Sequence, residues 1–354
     1  MPDVATAPWR RAGDGEDPRL RALSWALLAP SPHNRQAWLA DLRRSGEIAL
    51  SVDTARMLPQ TDPPGRQTTI GQGAFLEILE MALREEGLLP RITLFPQGEY
   101  GGVPDERPVA RVALEPHPGV NRDPLFAVVP RRHTNRTAYN PARAVTPSTL
   151  DALLATSVPE GVEVSGTVDP ALRGHIAELA IRGMQIEVVT LRTWRESIEL
   201  VRIGASEIGQ NRDGISVTGF VPWLGRKLGL VSERSMIDPG GSAVKMTLDS
   251  SRDQAHTAGG WMWLATRGNM RRQQVDAGRA YVRLQLAATL AGLGSQPMSQ
   301  LLQEFPEMAG AQADLYRALG LDPSRVTLQM LARVGHAEPV DPSSRRALAS
   351  IVRL

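Results

Sequence analysis

Two stretches of this chain align with each other without a gap. Ile70-Gly71-Gln72-Gly73-Ala74, running on to Gly87-Leu88, lies over Ala277-Gly278-Arg279-Ala280-Tyr281, running on to Gly294-Ser295. In both, a strand and a loop precede a helix that has glycine near its start and glycine after its end. A repeat of this kind implies two related supersecondary units. Two weakly similar lobes in one chain suggest a fused pseudo-dimer, in which a site once made at a two-fold interface is made between the halves. At 354 residues the chain exceeds what one ordinary core serves, which agrees with two lobes.

Periodicity fills in the rest. Residues 1–17 are polar and rich in Gly, Pro and Asp, the composition of a flexible arm. Leu20, Leu23 and Leu27 recur at helical spacing up to Pro30-Ser31-Pro32, Glu47 to Val52 alternates as a strand, and Phe75, Ile78, Leu79 and Ala82 stripe a second helix. Arg91 to Phe95 and Val109 to Leu114 are strand candidates, and Glu115 to Pro124 reads as a linker. The domains expected are therefore an arm at 1–17, a lobe at 18–118 and a lobe at 119–354. In the second lobe Thr146-Pro147 opens a helix to Ala155, Val162 to Val168 is a strand, and residues 171–205 read as one long helix. The apolar, Gly-rich segment 209–245 has no steady period and reads as an irregular lid or pocket wall, or as an extra packed subdomain. Trp261 to Ala265, a helix from Gln273 to Leu293, a helix near 308–319 and a strand at Thr327 to Val334 complete the pattern, an α+β chain.

Composition removes several classes of function. There are no cysteines, so disulfides, thiolate nucleophiles and Cys-based metal sites are excluded. A net charge of +2 argues against a nucleic-acid or anionic-membrane surface. No apolar run is long enough for a membrane span and no signal-like core is present, so a cytoplasmic protein is expected. Zincin, P-loop and Rossmann motifs are missing, and the histidines show no ligand spacing, so no metal is expected.

The densest chemistry lies in Val129-Pro130-Arg131-Arg132-His133-Thr134-Asn135-Arg136. Fixed guanidinium forks beside a hydroxyl suit a phosphate, because they meet its oxygens bidentately and stay charged; the alternative is a solvated basic turn. Likewise His33-Asn34-Arg35-Gln36-Ala37-Trp38 places two amides and an indole after a helix end, suited to a planar heterocycle or to ordinary turn capping. A second cationic pair, Arg345-Arg346, lies far along the chain.

These motifs together resemble the FMN-dependent nitroreductases, specifically the twin-domain branch typified by the mycobacterial Acg proteins. Arg132-His133-Thr134-Asn135-Arg136 is similar to the family's phosphate motif with Thr for Ser; Pro30-Ser31-Pro32-His33-Asn34-Arg35-Gln36-Ala37-Trp38 resembles its Pro-Ser-x-x-Asn-x-Gln-Pro-Trp element; Gly292 to Pro297, continuing into Met298-Ser299, resembles the turn under the isoalloxazine. The resemblance implies tandem nitroreductase-like lobes forming a pseudo-dimer, each with a mainly antiparallel sheet flanked by helices. It implies phosphate and ribityl contacts from Arg132, His133, Thr134 and Arg136, closure by Arg345 and Arg346, ring or ribityl contacts from Ser31, Asn34 and Gln36, and a backbone around Pro297, Met298 and Ser299 that faces flavin N5. The mirror motif would be Trp9-Arg10-Arg11-Ala12-Gly13, which lacks the hydroxyl and the last cation, so one FMN per chain is implied.

No side chain then needs to be a base or nucleophile, since the flavin carries the redox chemistry. The function implied is NAD(P)H-driven reduction of nitroaromatic, quinone or similar electron-poor small molecules by ping-pong hydride transfer. The alternatives are a lid-capped flavin-sequestering stress protein without turnover and a flavin-dependent biosynthetic dehydrogenase. A monomeric pseudo-dimer or weak homo-oligomer is expected.

Overall fold

The computed structural model describes residues 1–229 and 231–354. The chain opens with α1 (Asp3–Arg10) and α2 (Pro18–Ala26), then β1 (Trp38–Asp41), β2 (Glu47–Val52), α3 (Arg66–Glu85), β3 (Leu88–Leu94) and β4 (Pro108–Pro116). After a 3₁₀ helix at Pro124–Arg131 come α4 (Pro147–Leu154), β5 (Val162–Thr167), α5 (Pro170–Val189), α6 (Leu191–Glu199), β6 (Val201–Ile203), α7 (Gly204–Gln210), β7 (Ile215–Val217), α8 (Phe220–Lys227), α9 (Glu233–Ile237) and α10 (Ser242–His256). The last stretch is β8 (Gly260–Thr266), α11 (Arg271–Leu290), β9 (Gly294–Pro297), α12 (Ala309–Ala318), β10 (Thr327–Gly335) and β11 (Val352–Arg353).

Two sheets repeat one topology. The first runs β11-β1-β2-β4-β3 and the second β5-β8-β10-β9. Setting β11 aside, each has the order first-second-fourth-third with every pairing antiparallel, and each sends a long helix (α3 or α11) between its second and third strands. The α+β class with helix-flanked antiparallel sheets therefore stands. What distinguishes the halves is the connection between first and second strands. It is a short hairpin from β1 to β2, but α5 to α10 intervene between β5 and β8.

The equivalent helices cross where neither has a side chain. A Cβ on Gly73 would lie 1.9 Å from the Val275 carbonyl oxygen, and one on Gly278 would lie 1.9 Å from the Ile70 carbonyl oxygen. The contact is reciprocal, as an isologous two-fold interface requires. It equates Gly73 with Gly278 and Ile70 with Val275, so the alignment that set Gly71 on Gly278 is corrected by two residues. Glycine spacing alone cannot tell which glycine sits at the crossing. The first residues of the helices obey the corrected register. Arg66 donates to the Leu302 and Leu328 carbonyls of the other half, and Arg271 to those of Pro64, Gly101 and Gly102. The cores interpenetrate to match, since Val275, Val282 and Leu286 of α11 lie in the first sheet's apolar cluster and Ile70 of α3 lies in the second's.

Three expectations are corrected. The N-terminal arm is not loose: α1 buries Ala5 and Trp9, one helical turn apart. The helix expected over 171–205 ends at Thr190, whose extended backbone (φ −83, ψ 94) separates α5 from α6 while the apolar spacing carries on across the break. The 209–245 segment is not irregular: it holds the end of α7, β7, α8, α9 and the start of α10, with Leu230 outside the described residues. Short elements joined by glycine give no sustained period, which is why they read as irregular. The end of the chain returns to the first sheet, where β11 pairs parallel with β1 and carries Ile351 into that core.

Candidate functional site

Where the halves meet, the loop following α2 is held in an unusual conformation. His33, Asn34 and Gln36 all have positive φ (46, 52 and 51), a region in which non-glycine residues cost free energy and which concentrates at ligand sites. The conformation is fixed by neighbours. Ser31 Oγ accepts from the Gln36 N–H at 3.0 Å, and the Trp38 indole donates to the Gly71 carbonyl of α3.

Against this loop lies the returning chain end. Asn34 Oδ1 accepts from Arg345 at 3.1 Å, and its amide nitrogen donates to the Ser344 carbonyl at 3.1 Å and the Gly214 carbonyl at 3.3 Å. Gln36 is fully buried, its Oε1 accepting from the Arg346 N–H at 2.7 Å and its Nε2 donating to the Arg212 carbonyl at 2.8 Å. These amides thus tie the α7–β7 connection and the chain end to the strained loop. Gln36, expected on the ring or ribityl chain, has both of its amide atoms engaged by protein partners, as Asn34 does.

The cations sort into two groups. Arg346, expected at the phosphate, is paired with Asp53 at 3.2 Å and donates to the Gln36 and Ser350 carbonyls. Arg132, Arg136 and Arg345 make no ion pair with a carboxylate among the described residues. Arg132 is buried and donates to Gln285 Oε1 at 3.0 Å and the Leu28 carbonyl at 2.8 Å. Arg345, equally buried, reaches that same Leu28 carbonyl at 3.1 Å, so two guanidinium groups converge on one oxygen. The Nε of each is buried without a partner among the described residues. Burial lowers Arg132 to about 10, and burial together with the Arg132 charge pulls Arg345 down strongly. Buried charge without an opposite charge is costly, and an anion accepting from the two Nε atoms would relieve it.

The rest of the basic motif follows. His133, with Nδ1 buried and unpartnered, is lowered to about 4 by burial and then by Arg132 and Arg345. Thr134 pairs in a short bridge with Ser295 of β9, and its hydroxyl has no hydrogen-bond partner among the described residues. Arg136 is exposed and has no ion pair among the described residues; its charge contributes, after burial, to holding His33 at about 4. Arg131 is exposed.

The residues expected under the flavin ring are less directly joined to this cluster. Pro297 closes β9 opposite Ala332, Met298 is buried in the second sheet's core, and the Met298 N–H is committed to the Leu331 carbonyl at 2.9 Å. Of the two backbone amides expected to face the ring, that of Met298 thus has a partner within the sheet. The Ser299 N–H has no partner among the described residues, while its carbonyl accepts from Gln67 on α3 at 3.4 Å. Four contributors escaped the sequence: Trp9, Gln285, the Leu28 carbonyl and Asp213. Asp213 binds Arg35 at 2.6 Å, Arg56 at 2.7 Å and Arg202 at 3.4 Å, pinning the inserted segment to the first half.

Residues 239–336 match the Nitroreductase family model. This stretch is similar to the nitroreductases. The matched segment contains β8, α11, β9 and β10, and so most of the second sheet and one of the two crossing helices. An uncharacterized protein of Mycobacterium tuberculosis is 24% identical over 355 residues, covering 94% of this chain and 92% of its own. The acg protein of the same species, whose name assigns it to the NAD(P)H nitroreductases, is 35% identical over 75 residues, 21% of this chain and 22% of its own. Among solved structures, a Bacteroides fragilis nitroreductase with bound FMN superposes with a TM-score of 0.38 at 13% identity, covering 66% of this chain and 98% of that one. The FMN-dependent nitroreductase NfnB of Mycobacterium smegmatis, in complex with NADPH, gives 0.37 at 16%, covering 63% and 94%.

Proposed function

We propose that the chain is an FMN-dependent oxidoreductase that takes electrons from NAD(P)H and passes them to small electron-poor acceptors such as nitroaromatics or quinones. One observation carries this reading: Arg132 and Arg345 converge from different parts of the chain, buried, with no carboxylate and no Nε partner among the described residues. That donor set fits a phosphate monoester, and FMN bears one. Arg132 and Arg345 would hold the phosphate, with Arg136 and the free Thr134 hydroxyl beside it. Asn34 fixes Arg345, and Gln36 fixes the segment that covers the loop. When bound, the flavin supplies the hydride chemistry, and the chain's own residues bind, orient and exclude water.

A second reading, flavin sequestration without turnover, has one observation in its favour. The inserted segment is stitched down over the loop through Arg212, Asp213 and Gly214. One experiment addresses both. Purified protein is expected to be yellow, with flavin absorbance bleached by anaerobic NAD(P)H and restored by a quinone. Bleaching that fails while the colour remains favours sequestration, and protein that cannot be loaded with FMN refutes both.

A further inference from the structure

The donors left unpartnered at this site surround one side chain from the far end of the sequence. Trp9 of α1 is 7% exposed and lies with its ring 4.6 Å from the His133 ring. The Arg345 guanidinium sits over the same indole at 4.8 Å and that of Arg132 at 5.9 Å. Two backbone ties hold the helix in place: the indole N–H donates to the Ser343 carbonyl at 2.8 Å, and the Arg345 N–H donates to the Ala5 carbonyl at 2.8 Å. The mirror-motif arginine beside Trp9 takes no part, since Arg10 is spent on Thr6 and Asp3 of its own helix.

An indole face attracts a guanidinium, more strongly when both are out of water. Arg132 and Arg345 repel each other, share the Leu28 carbonyl and lack a carboxylate partner among the described residues, and the face of Trp9 is a second electron-rich surface that both approach. We infer that Trp9 is a positioning residue for the anion site: it holds the two guanidinium groups apart and dry, with their Nε donors free, so that a phosphate monoester finds them preorganised. The first helix is on this account part of the cofactor-binding apparatus. This rests on the phosphate reading above and adds a residue outside its motifs. Preorganisation raises affinity by removing ordering cost at the moment of binding.

The test compares FMN with riboflavin, which has the same ring and ribityl chain without the phosphate. Affinities of the full-length protein for both are measured by flavin fluorescence quenching in wild type, Trp9→Phe and Trp9→Leu, with thermal melts to establish folding. Wild type is expected to prefer FMN. Trp9→Leu, which keeps an apolar side chain but loses the π face, is expected to cut that preference about tenfold, the size of a desolvated cation–π contact, and Trp9→Phe by less. A purely structural role for Trp9 would weaken both flavins alike and leave the ratio fixed. An unchanged ratio in either folded variant overturns the inference, as does a ratio that rises, which would make Trp9 a plug. If wild type itself binds the two flavins equally, the phosphate reading fails instead, and the two failures are distinguishable. If only Trp9→Phe folds, a lowered ratio in that variant alone supports the inference and an unchanged one overturns it.

Discussion

Replacing Asp213 with asparagine tests whether the inserted segment is held over the site by charge. The Asp213 carboxylate is 8% exposed and faces three guanidinium groups, from Arg35 at 2.6 Å, Arg56 at 2.7 Å and Arg202 at 3.4 Å. Asparagine keeps the shape and removes the only negative charge these ion pairs share at that point. Breaking a buried ion pair by removing one partner costs about 3–5 kcal/mol, because the other charge stays buried. Here the lower end applies, since Arg56 is 27% exposed and already has Asp53 at 3.1 Å as a second partner. About 3 kcal/mol is comparable with the stability of a local opening unit. Asp213 and Arg202 belong to the insertion, Arg35 and Arg56 to the first half, so the loss falls on the seam between them. Hydrogen exchange followed by peptide mass spectrometry should show residues 204–217 and 31–38 exchanging much faster in Asp213→Asn, while α3 and α11 stay protected. Equal exchange at the seam in both proteins would refute the latch, and a uniform loss of protection would show that Asp213 supports the whole fold instead.

Other expectations follow from the same geometry. Gly278→Ala would place a methyl group against the Ile70 carbonyl; overpacking of this kind typically costs about 1–3 kcal/mol, and contact with backbone puts it at the upper end, readable as a lower denaturation midpoint with the slope unchanged. Arg136→Ala is expected to weaken FMN retention strongly on gel filtration by removing an unpaired cation, and unchanged occupancy would remove Arg136 from the site. His33 and His133 stand at about 4 in the folded protein against 6.5 ordinarily. Between those values the unfolded chain binds protons that the folded one does not, so stability is full above about 6.5 and is lost as pH falls towards 4. A His33→Gln, His133→Gln double variant should flatten that part of the stability–pH curve.

Much of the fold was legible because its main elements bury one regular face. Phe75, Ile78, Leu79 and Ala82 mark α3, and the cap of α4 is made as its sequence implies, with Thr146 Oγ1 accepting from the Thr149 N–H at 3.1 Å. The sequence could show which residue types suit a phosphate, and the fold brings two of these, Arg132 and Arg345, onto one carbonyl oxygen. The site was not legible where a side chain serves the protein instead. Gln36 and Arg346 have the right chemistry for a flavin, but they face each other and Asp53, and only the return of the chain end to the first sheet brings them together. The burial of Trp9 escaped for a similar reason: one helical turn carries too little periodicity to show, and its partners lie more than a hundred residues away.

The pseudo-two-fold also bears on how many cofactors a chain can hold. In the register fixed by Gly73 and Gly278, the residue corresponding to Gln285, which accepts from the unneutralised Arg132, is Glu80. Glu80 is a carboxylate already engaged by Arg279 at 2.5 Å and Arg84 at 2.7 Å. Beside it Glu77 takes Arg279 and Arg283, each at 2.7 Å, and Arg283 also reaches Asp123 at 2.6 Å. Where one side of the interface keeps guanidinium groups short of an anion, its counterpart has acquired the anions as side chains. A phosphate arriving there would displace no unfavourable charge and would meet two glutamates. Titration of apo-protein with FMN, followed by flavin fluorescence, should therefore saturate at one flavin per chain, and Glu80→Gln should leave that number unchanged. A stoichiometry of two would show that the ion-paired side still binds, and that unneutralised charge is not what selects the site.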